Sequence, residues 1–214
     1  WVKFRVEWKA KRKESIKKVK FPFPYRKGQK ELAADVYRTI LRKKKLFIQA
    51  PTGVGKTIST IFPAIKAVGE EIIDTIFYLT AKTVTKTVAE ETISLLRYQG
   101  MRWKSIVLTA KEKLCVCENA DCNPEVCPRA KGHYDRVRDA VFSALKKQDS
   151  YHREEILEHA KEWNVCPFEF SLDLAEWMDG IICDYNYVFD PRVSLKRFFG
   201  EGQKGEYMFL IDEA

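Results

Sequence analysis

One short segment combines the residue types and the spacing that bind phosphate. It reads Ala50-Pro51-Thr52-Gly53-Val54-Gly55-Lys56-Thr57 and follows an apolar run at residues 46–48. Glycine lets consecutive backbone N–H groups point at one anion, and a helix starting near Lys56 would add its positive N-terminal end. Lys56 would reach the β- and γ-phosphates of a nucleotide, and the Thr57 hydroxyl would ligate Mg²⁺. We therefore predict a strand at 46–48, a phosphate-binding loop and a helix.

Two acidic residues stand near the other end of the chain. Residues 207–211 are apolar and are followed by Asp212 and Glu213. In enzymes with a phosphate-binding loop, a buried strand ending in such acids holds the metal and polarises the attacking water. We expect Asp212 to bind Mg²⁺ through water and Glu213 to act as the general base. The pair is a weak signal alone, and the loop upstream makes it a strong one.

The elements that position these residues alternate along the chain. The expected strands are residues 75–80, 106–109, 180–183 and 207–212. The expected helices are residues 28–42, a helix from the loop to about residue 68, and residues 83–98. This alternation indicates an α/β fold, a parallel sheet with helices on both faces as in RecA-like P-loop NTPases.

The predicted organisation is a motor core interrupted by an insertion. We assign residues 21–110 and 178–214 to the core, and residues 111–177, with crowded cysteines followed by charged helices, to a mainly helical insertion. Only an insertion accounts for the roughly 155 residues between Thr57 and Asp212, since the units of such a core run about 30 residues or more each.

The charge of the chain favours a polyanionic partner. Lys and Arg number 38 against 30 Asp and Glu, a formal charge of +8, which suits nucleic acid; a basic surface without a partner is the alternative. The basic residues 1–20 are interpreted as a linker or the tail of a preceding domain, with a solvated charged face. No apolar run approaches the roughly 20 residues that span a bilayer, so no membrane partner is expected. Because the chain opens at Trp1 and ends at a catalytic strand, we expect a fragment of a longer protein.

Six cysteines beside a nucleotide site favour an intracellular protein with metal-bound or free thiols over a secreted disulfide scaffold. The expected location is cytoplasmic and nucleoid-associated. Cys115, Cys122 and Cys127 are spaced by 7 and 5, and Cys166 follows 39 residues later. Four such thiolates suit a [4Fe–4S] cluster, in which each sulfur takes one iron. Zinc usually binds cysteine pairs two to four residues apart. From spacing alone, zinc and unligated thiols stay open as alternatives.

The remaining cysteines and the histidines are assigned no ligand role. Cys117, two residues from Cys115, is expected to point the other way and is interpreted as a spare. Cys183 lies in an apolar run and is expected to be a small core residue. The histidines stand in charged helical segments and are expected to be solvated rather than ligating; they are His133, His152 and His159.

Seven separated motifs then agree with one another. They are Phe23-Pro24-Tyr25-Arg26 with Gln29; residues 50–57; Tyr78-Leu79-Thr80-Ala81-Lys82-Thr83; Lys113-Leu114-Cys115; Cys166-Pro167-Phe168; Cys183-Asp184-Tyr185-Asn186-Tyr187-Val188-Phe189-Asp190-Pro191; and Ile211-Asp212-Glu213-Ala214. In this order they resemble the iron–sulfur DNA helicases of superfamily 2, the XPD/DinG family, and are most similar to its bacterial DinG-like members. Seven motifs in order are highly specific, and they favour the cluster over zinc.

The resemblance implies ATP and Mg²⁺ as cofactors. Gln29 would read the adenine edge, with Arg26 and Tyr25 shaping that pocket. The whole nucleotide site would comprise Tyr25, Arg26, Gln29, Thr52, Gly53, Val54, Gly55, Lys56 and Thr57, with Lys56, Asp212 and Glu213 as catalytic residues.

The resemblance also implies single-stranded or forked DNA as the partner. Thr80, Lys82 and Thr83 would contact DNA phosphates from the top of the sheet; a helix cap by Thr80 or Thr83 is the alternative. The cluster, held by the four cysteines spaced as above, belongs to a domain that edges the DNA path and helps part the strands. The segment at residues 184–191 matches a family signature without a firm chemical role.

The resemblance finally implies what this chain lacks. The second motor domain would supply the arginine that completes ATP hydrolysis, so we expect weak nucleotide binding and no useful hydrolysis by these 214 residues alone. The complete protein would be a 5′→3′ DNA helicase. Two alternatives are a zinc-bearing P-loop ATPase that remodels RNA or protein, and a nucleic-acid-binding, redox-sensing module with an inactive motor.

Overall fold

The computed structural model describes residues 1–51, 53–117 and 122–212. The helices within these ranges are α1 (Val2–Lys18), α2 (Gln29–Leu41), α3 (Lys56–Gly69), α4 (Thr83–Tyr98), α5 (Lys111–Leu114), α6 (His133–Lys147), α7 (Arg153–Glu162), α8 (Pro167–Ala175), α9 (Asn186–Phe189) and α10 (Lys196–Phe199). The strands are β1 (Thr75–Leu79), β2 (Ser105–Val107), β3 (Ser150–Tyr151), β4 (Gly180–Cys183) and β5 (Tyr207–Ile211).

The chain divides into two compact units. Residues 1–103 and 184–214 form the first, here called the phosphate-loop unit, and residues 104–183 form the second, the cysteine unit. The predicted domain bounds at 21–110, 111–177 and 178–214 stay predictions.

Two parallel strands form the centre of the phosphate-loop unit. β1 pairs with β5 from Thr75 opposite Tyr207 to Leu79 opposite Ile211, which confirms the two predicted strands. Every residue of β1 is buried, as expected for a run of β-branched and aromatic side chains. Phe77 lies at the middle of an aromatic cluster, with ring centroids 5.2 Å from Phe198 and 5.5 Å from Phe209. The contact with Phe209 thus anchors β5, the strand that ends next to Asp212, against β1.

Three helices of this unit, α2, α3 and α4, begin and end close to the predicted positions. In α2 the buried residues Ala33, Val36 and Ile40 are spaced three or four apart and share one face, and this helix packs on α3. In α4 the residues Ala89 and Ile93 follow the same spacing. Apolar periodicity was sufficient for α2 and α4 because each buries a single stripe.

Residues 1–20 are more structured than expected. They form α1, which packs on α3, and bury Trp8, Arg12 and Ile16 at intervals of four. Ile16 fits over Gly69, where an added Cβ would lie 2.5 Å from its Cγ2 atom. The Lys66 ammonium donates hydrogen bonds to the carbonyls of Ile16 at 2.6 Å and Val19 at 2.7 Å. The buried stripe was not expected, whereas most of the charged residues of this segment are exposed, as predicted. The interpretation as a linker or the tail of a preceding domain stays a prediction.

One predicted strand does not form. Residues 44–50 have no regular secondary structure, and Phe47 is 87% exposed. A strand needs a neighbour to pair with its N–H and C=O groups, and the described residues provide none for this run. Its three apolar side chains consequently remain at the surface.

The cysteine unit combines three short strands with packed helices. β2 pairs in parallel with β3 and with β4, and α6, α7 and α8 pack on one another. Cys183, in β4, is fully buried, as predicted. Lys104 is buried as well, with its ammonium 2.7 Å from the Asp149 carboxylate. In the described part of the chain, no helix is both long and apolar enough to cross a membrane.

The expectation of solvated histidines is wrong for two of the three. His133 and His159 are only 3% and 1% exposed, because both lie on the packed faces of their helices. The His159 ring lies 3.0 Å from the Ala140 carbonyl through Nε2 and stacks on Phe170 at 5.4 Å. His152 is half-buried and caps the start of α7.

Candidate nucleotide and cysteine sites

The phosphate loop has the backbone conformation that its glycines suggested. Gly53 and Gly55 have φ angles of +82° and +76°, a region that side chains other than glycine rarely adopt. Gly55 directly precedes α3, which begins at Lys56 as predicted. A Cβ on Gly55 would also lie 2.3 Å from the Gln29 amide nitrogen. Thr52 lies outside the described residues.

Three side chains bond the carbonyls of this loop. The Lys56 ammonium donates to Ala50 O at 3.0 Å and to Pro51 O at 3.2 Å. Arg26 donates to Gly53 O, and the Gln29 amide donates to Val54 O at 2.7 Å. The ammonium, the guanidinium and the amide are all donors, so each could exchange a loop carbonyl for an oxygen or ring nitrogen of a nucleotide.

The residues predicted to shape an adenine pocket lie next to the loop. Gln29 is 4% exposed, and its carbonyl oxygen accepts the Arg26 backbone N–H at 2.8 Å. Tyr25 is exposed and stacks on Phe21 with ring centroids 4.2 Å apart. Thr57 is half-buried in the first turn of α3. The fold thus brings Arg26 and Gln29 to the loop, while their contacts with a base stay a prediction.

Asp212 follows β5 directly and is held through its backbone. Its N–H donates to the Leu79 carbonyl at 3.0 Å, and its carbonyl accepts the hydroxyl of Tyr185. Its side chain is at the carboxyl end of a parallel strand, the usual place for ligand-binding groups in such sheets. Glu213 lies outside the described residues.

The three predicted DNA contacts differ in exposure. Lys82 and Thr83 are exposed at the start of α4, whereas Thr80 is 2% exposed. The Thr80 hydroxyl accepts the Lys82 backbone N–H at 3.3 Å, which fixes the turn into the helix. Lys82 is the N-cap residue, and α4 has no side-chain cap bond, so the alternative helix-cap role is not realised.

The cysteine segment gathers more thiols than expected. The Cys117 sulfur lies 3.5 Å from that of Cys127, and the Cys115 thiol lies 3.5 Å from the Cys117 carbonyl. Cys117 therefore lies among the other cysteines, and the expectation that it points away is wrong. The hydrogen bond with Cys127 raises the pKa of Cys117 to about 11, which keeps this thiol protonated at neutral pH.

Lys111 also belongs to this site, although the spacing of the cysteines did not indicate it. A hydrogen bond with Cys122, aided by the nearby Cys115 and Cys166, raises the pKa of Lys111. Burial raises the pKa of Cys166, whose backbone N–H donates to His133 Nδ1 at 3.2 Å. A buried histidine thus orients the most distant cysteine in sequence.

Thiols are the donors that a [4Fe–4S] cluster requires. Within residues 1–51, 53–117 and 122–212, no group of three or more His, Cys, Asp or Glu side chains converges tightly enough to hold one metal ion. The four predicted cysteines are instead spread around Lys111 and Cys117. Sulfur ligands of a [4Fe–4S] cluster bind separate irons and need not meet at one point, so the residues fit that group chemically.

Comparison with known families decides the affiliation. A DEAD/DEAH box helicase model matches residues 30–127, and the DEAD_2 model matches residues 79–214. The chain belongs to the DEAD_2 family. The resemblance expected from its motifs is thereby confirmed at the level of the family.

Relatives of this DEAD_2 chain are named helicases. It is 23% identical over 220 residues to a "Regulator of telomere elongation helicase 1 homolog" of Caenorhabditis elegans, covering 82% of this chain and 22% of the relative. It is 23% identical over 226 residues to the human "Regulator of telomere elongation helicase 1", covering 81% and 18%. A 49-residue stretch is 45% identical to "Probable ATP-dependent helicase MJ0942" of Methanocaldococcus jannaschii, covering 22% of this chain and 8% of the relative. The chain spans about a fifth of the first two proteins.

A solved structure shares the fold. The chain superimposes on one titled "XPD_Helicase" with a TM-score of 0.58 and 19% identity, covering 89% of this chain and 32% of the other. The predicted fold class, an α/β fold with the parallel sheet of a RecA-like P-loop NTPase, is therefore confirmed.

Proposed function

We propose that this chain is the first motor domain of an ATP-dependent 5′→3′ DNA helicase, together with its [4Fe–4S] domain. The observation that carries the proposal is the phosphate loop, on which Lys56, Arg26 and Gln29 converge within a chain of a helicase family. A Gly-rich loop opening a helix, with a lysine aimed along it, is suited to bind the phosphates of a nucleotide.

Nucleotide binding would proceed by exchange of hydrogen bonds. Lys56 would leave the carbonyls of Ala50 and Pro51 for the β- and γ-phosphates, which suit an ammonium better because they are charged. Gln29 would turn from Val54 toward the adenine edge. The first N–H groups of α3 would bind the phosphates, since a helix leaves these donors without intrahelical partners.

Hydrolysis needs an acid pair and a positive charge opposite them. Asp212 would hold Mg²⁺ through water, and Glu213 would activate the attacking water. The arginine that stabilises the charge of the transition state would come from a second motor domain. These 214 residues therefore provide half of an active site, and we expect them to bind nucleotide without hydrolysing it at a useful rate.

Cys115, Cys122, Cys127 and Cys166 would hold the cluster, which supplies a compact, rigid centre for the surrounding loop. Lys111 would donate a hydrogen bond to the Cys122 sulfur and offset part of the negative charge. Lys82 and Thr83 would bind the phosphates of single-stranded or forked DNA, in keeping with the charge of +8. The thiol content supports a cytoplasmic location, and DNA as the partner would make the protein nucleoid-associated.

The test uses the longer helicase that contains this chain. We expect ATP hydrolysis stimulated by single-stranded DNA, unwinding of a forked duplex that needs a 5′ tail, and a loss of hydrolysis of at least about 100-fold in Lys56→Ala. Lys45→Ala, an exposed lysine outside the loop, is the matched control. Hydrolysis unaffected by Lys56→Ala would contradict the proposal, and activity on RNA or protein with bound zinc would favour the first alternative.

A further inference from the structure

The backbone of Asp212 is fixed on both sides by partners from different elements. Its N–H donates to Leu79 O at 3.0 Å, at the end of β1. Its carbonyl accepts the Tyr185 hydroxyl. The second bond holds the Asp212 carbonyl, so the two bonds together restrain the backbone that carries the Asp212 side chain.

Tyr185 is itself held by a short, well-bonded turn. It stands immediately before α9, and the Asp184 carboxylate accepts the Asn186 N–H at 3.1 Å. Tyr187 is buried, and its carbonyl accepts the Leu195 N–H at 2.9 Å. Since the turn is fixed on both sides of Tyr185, the phenol is a defined donor rather than a mobile one.

We infer that Tyr185 is a positioning residue for Mg²⁺, acting through the main chain of Asp212; this inference rests on the proposed function. The residue does not touch metal or nucleotide. Its hydroxyl holds the Asp212 carbonyl and thereby restrains the Cα atom from which the metal-binding carboxylate of Asp212 projects. Partners that orient metal ligands typically contribute about 10- to 100-fold in metal affinity or activity. This gives the signature at residues 184–191 a chemical role.

A purely structural role would make a different prediction. If only the aromatic ring mattered, Tyr185→Phe would behave as the unmodified protein, because it keeps the ring and removes the hydroxyl alone. Tyr187→Phe is the matched control. It also removes one hydroxyl, two residues further along the same turn, but leaves the bond between Tyr185 and Asp212 in place.

The experiment measures the affinity of the 214-residue chain for a fluorescent ATP analogue, once with Mg²⁺ and once with EDTA. The ratio of the two affinities reports the contribution of the metal. We expect Tyr185→Phe to reduce this ratio about tenfold while leaving the affinity in EDTA unchanged, and Tyr187→Phe to leave both unchanged. Asp212→Asn should reduce the ratio further.

The outcomes separate the inference from the function on which it rests. A chain that binds no nucleotide under either condition would overturn both. Nucleotide binding with an unchanged Mg²⁺ ratio in Tyr185→Phe would overturn the inference alone. As a second readout, the longer helicase carrying Tyr185→Phe should need about tenfold more Mg²⁺ for half-maximal hydrolysis; a wild-type requirement would also overturn the inference.

Discussion

The two units hold their candidate sites in different ways. In the phosphate-loop unit, Arg26 and Gln29 reach in from a neighbouring segment and bond the carbonyls of the loop. In the cysteine unit, the thiols contact one another and Lys111, and the structure around them is a packed helical core. Hydrogen bonds from polar side chains therefore hold the phosphate loop in place. The cysteine site is held by the packed helices of its unit.

We therefore expect ligand binding and folding stability to depend on different residues in each unit. Substitutions within the loop or among the thiols should remove a ligand without unfolding the unit, because Lys56 and all of these thiols except Cys127 are at least partly exposed. Substitutions in the aromatic cluster or at the buried His159 should instead lower the stability of the unit without removing a ligand. Four predictions test that separation, from the largest expected effect to the smallest.

Cys166→Ser should abolish iron binding, because one of four cluster ligands is lost. Cys117→Ser is the matched control and should keep the iron, since the remaining cysteines still number four in the predicted set. Iron and acid-labile sulfide, measured on anaerobically purified protein, are expected at about four each per chain. Equal loss of iron in both variants would show that Cys117 is a ligand. Bound zinc without iron would show that the site holds a single ion and not a cluster.

Phe77→Ala should lower the free energy of unfolding by about 3–5 kcal/mol, the usual range for a large aromatic side chain removed from a core. Phe77 is fully buried and contacts four other rings. Tyr98→Ala, at a highly exposed ring, should change stability little. Chemical denaturation measures both, and equal effects would mean that the ring cluster does not stabilise this unit.

Lys82→Ala should weaken the binding of single-stranded DNA several-fold and reduce the slope of log affinity against log salt by about 1, as for the loss of one phosphate contact. Nucleotide affinity should not change. Lys30→Ala, an exposed lysine on α2, serves as the control for charge alone. The same salt slope in both variants would count against a contact at Lys82.

The smallest expected effect is a dependence of the free energy of unfolding on pH. Burial lowers the pKa of His159 below its ordinary value of 6.5, although Glu162 nearby raises it. The unfolded chain therefore binds a proton more readily than the native one. The contribution of His159 to the free energy of unfolding should be complete above pH 6.5 and should decrease as the pH falls below it. His159→Gln should flatten this fall in denaturation curves between pH 5 and 7; an unchanged slope would rule out His159 as its source.

Local pattern was enough for the loop and for much of the fold. Gly53 and Gly55 form the turn that the glycines predicted, both with positive φ angles, and α4 begins and ends at the predicted residues. These features depend on neighbours in sequence. The strand at 46–48 failed for the opposite reason, because pairing depends on a distant partner that the apolar run does not specify.

Tertiary packing explains the other misses. His133 and His159 stand among charged residues in sequence, yet the packing of α6, α7 and α8 buries them. Lys111 and Cys117 joined the cysteine site through the fold of a loop, which spacing does not describe. The roles of the site residues remain predictions, since they depend on ligands rather than on the chain alone.

The fit of Ile16 over Gly69 has a consequence for the behaviour of the protein in solution. A chain shortened to begin at residue 21 would keep the phosphate loop and both strands of that unit. It would also uncover the apolar strip on α3 that α1 covers, together with the Lys66 ammonium that now binds two carbonyls. Uncovered apolar strips promote self-association, so such a chain should be less soluble and should form oligomers at lower concentration.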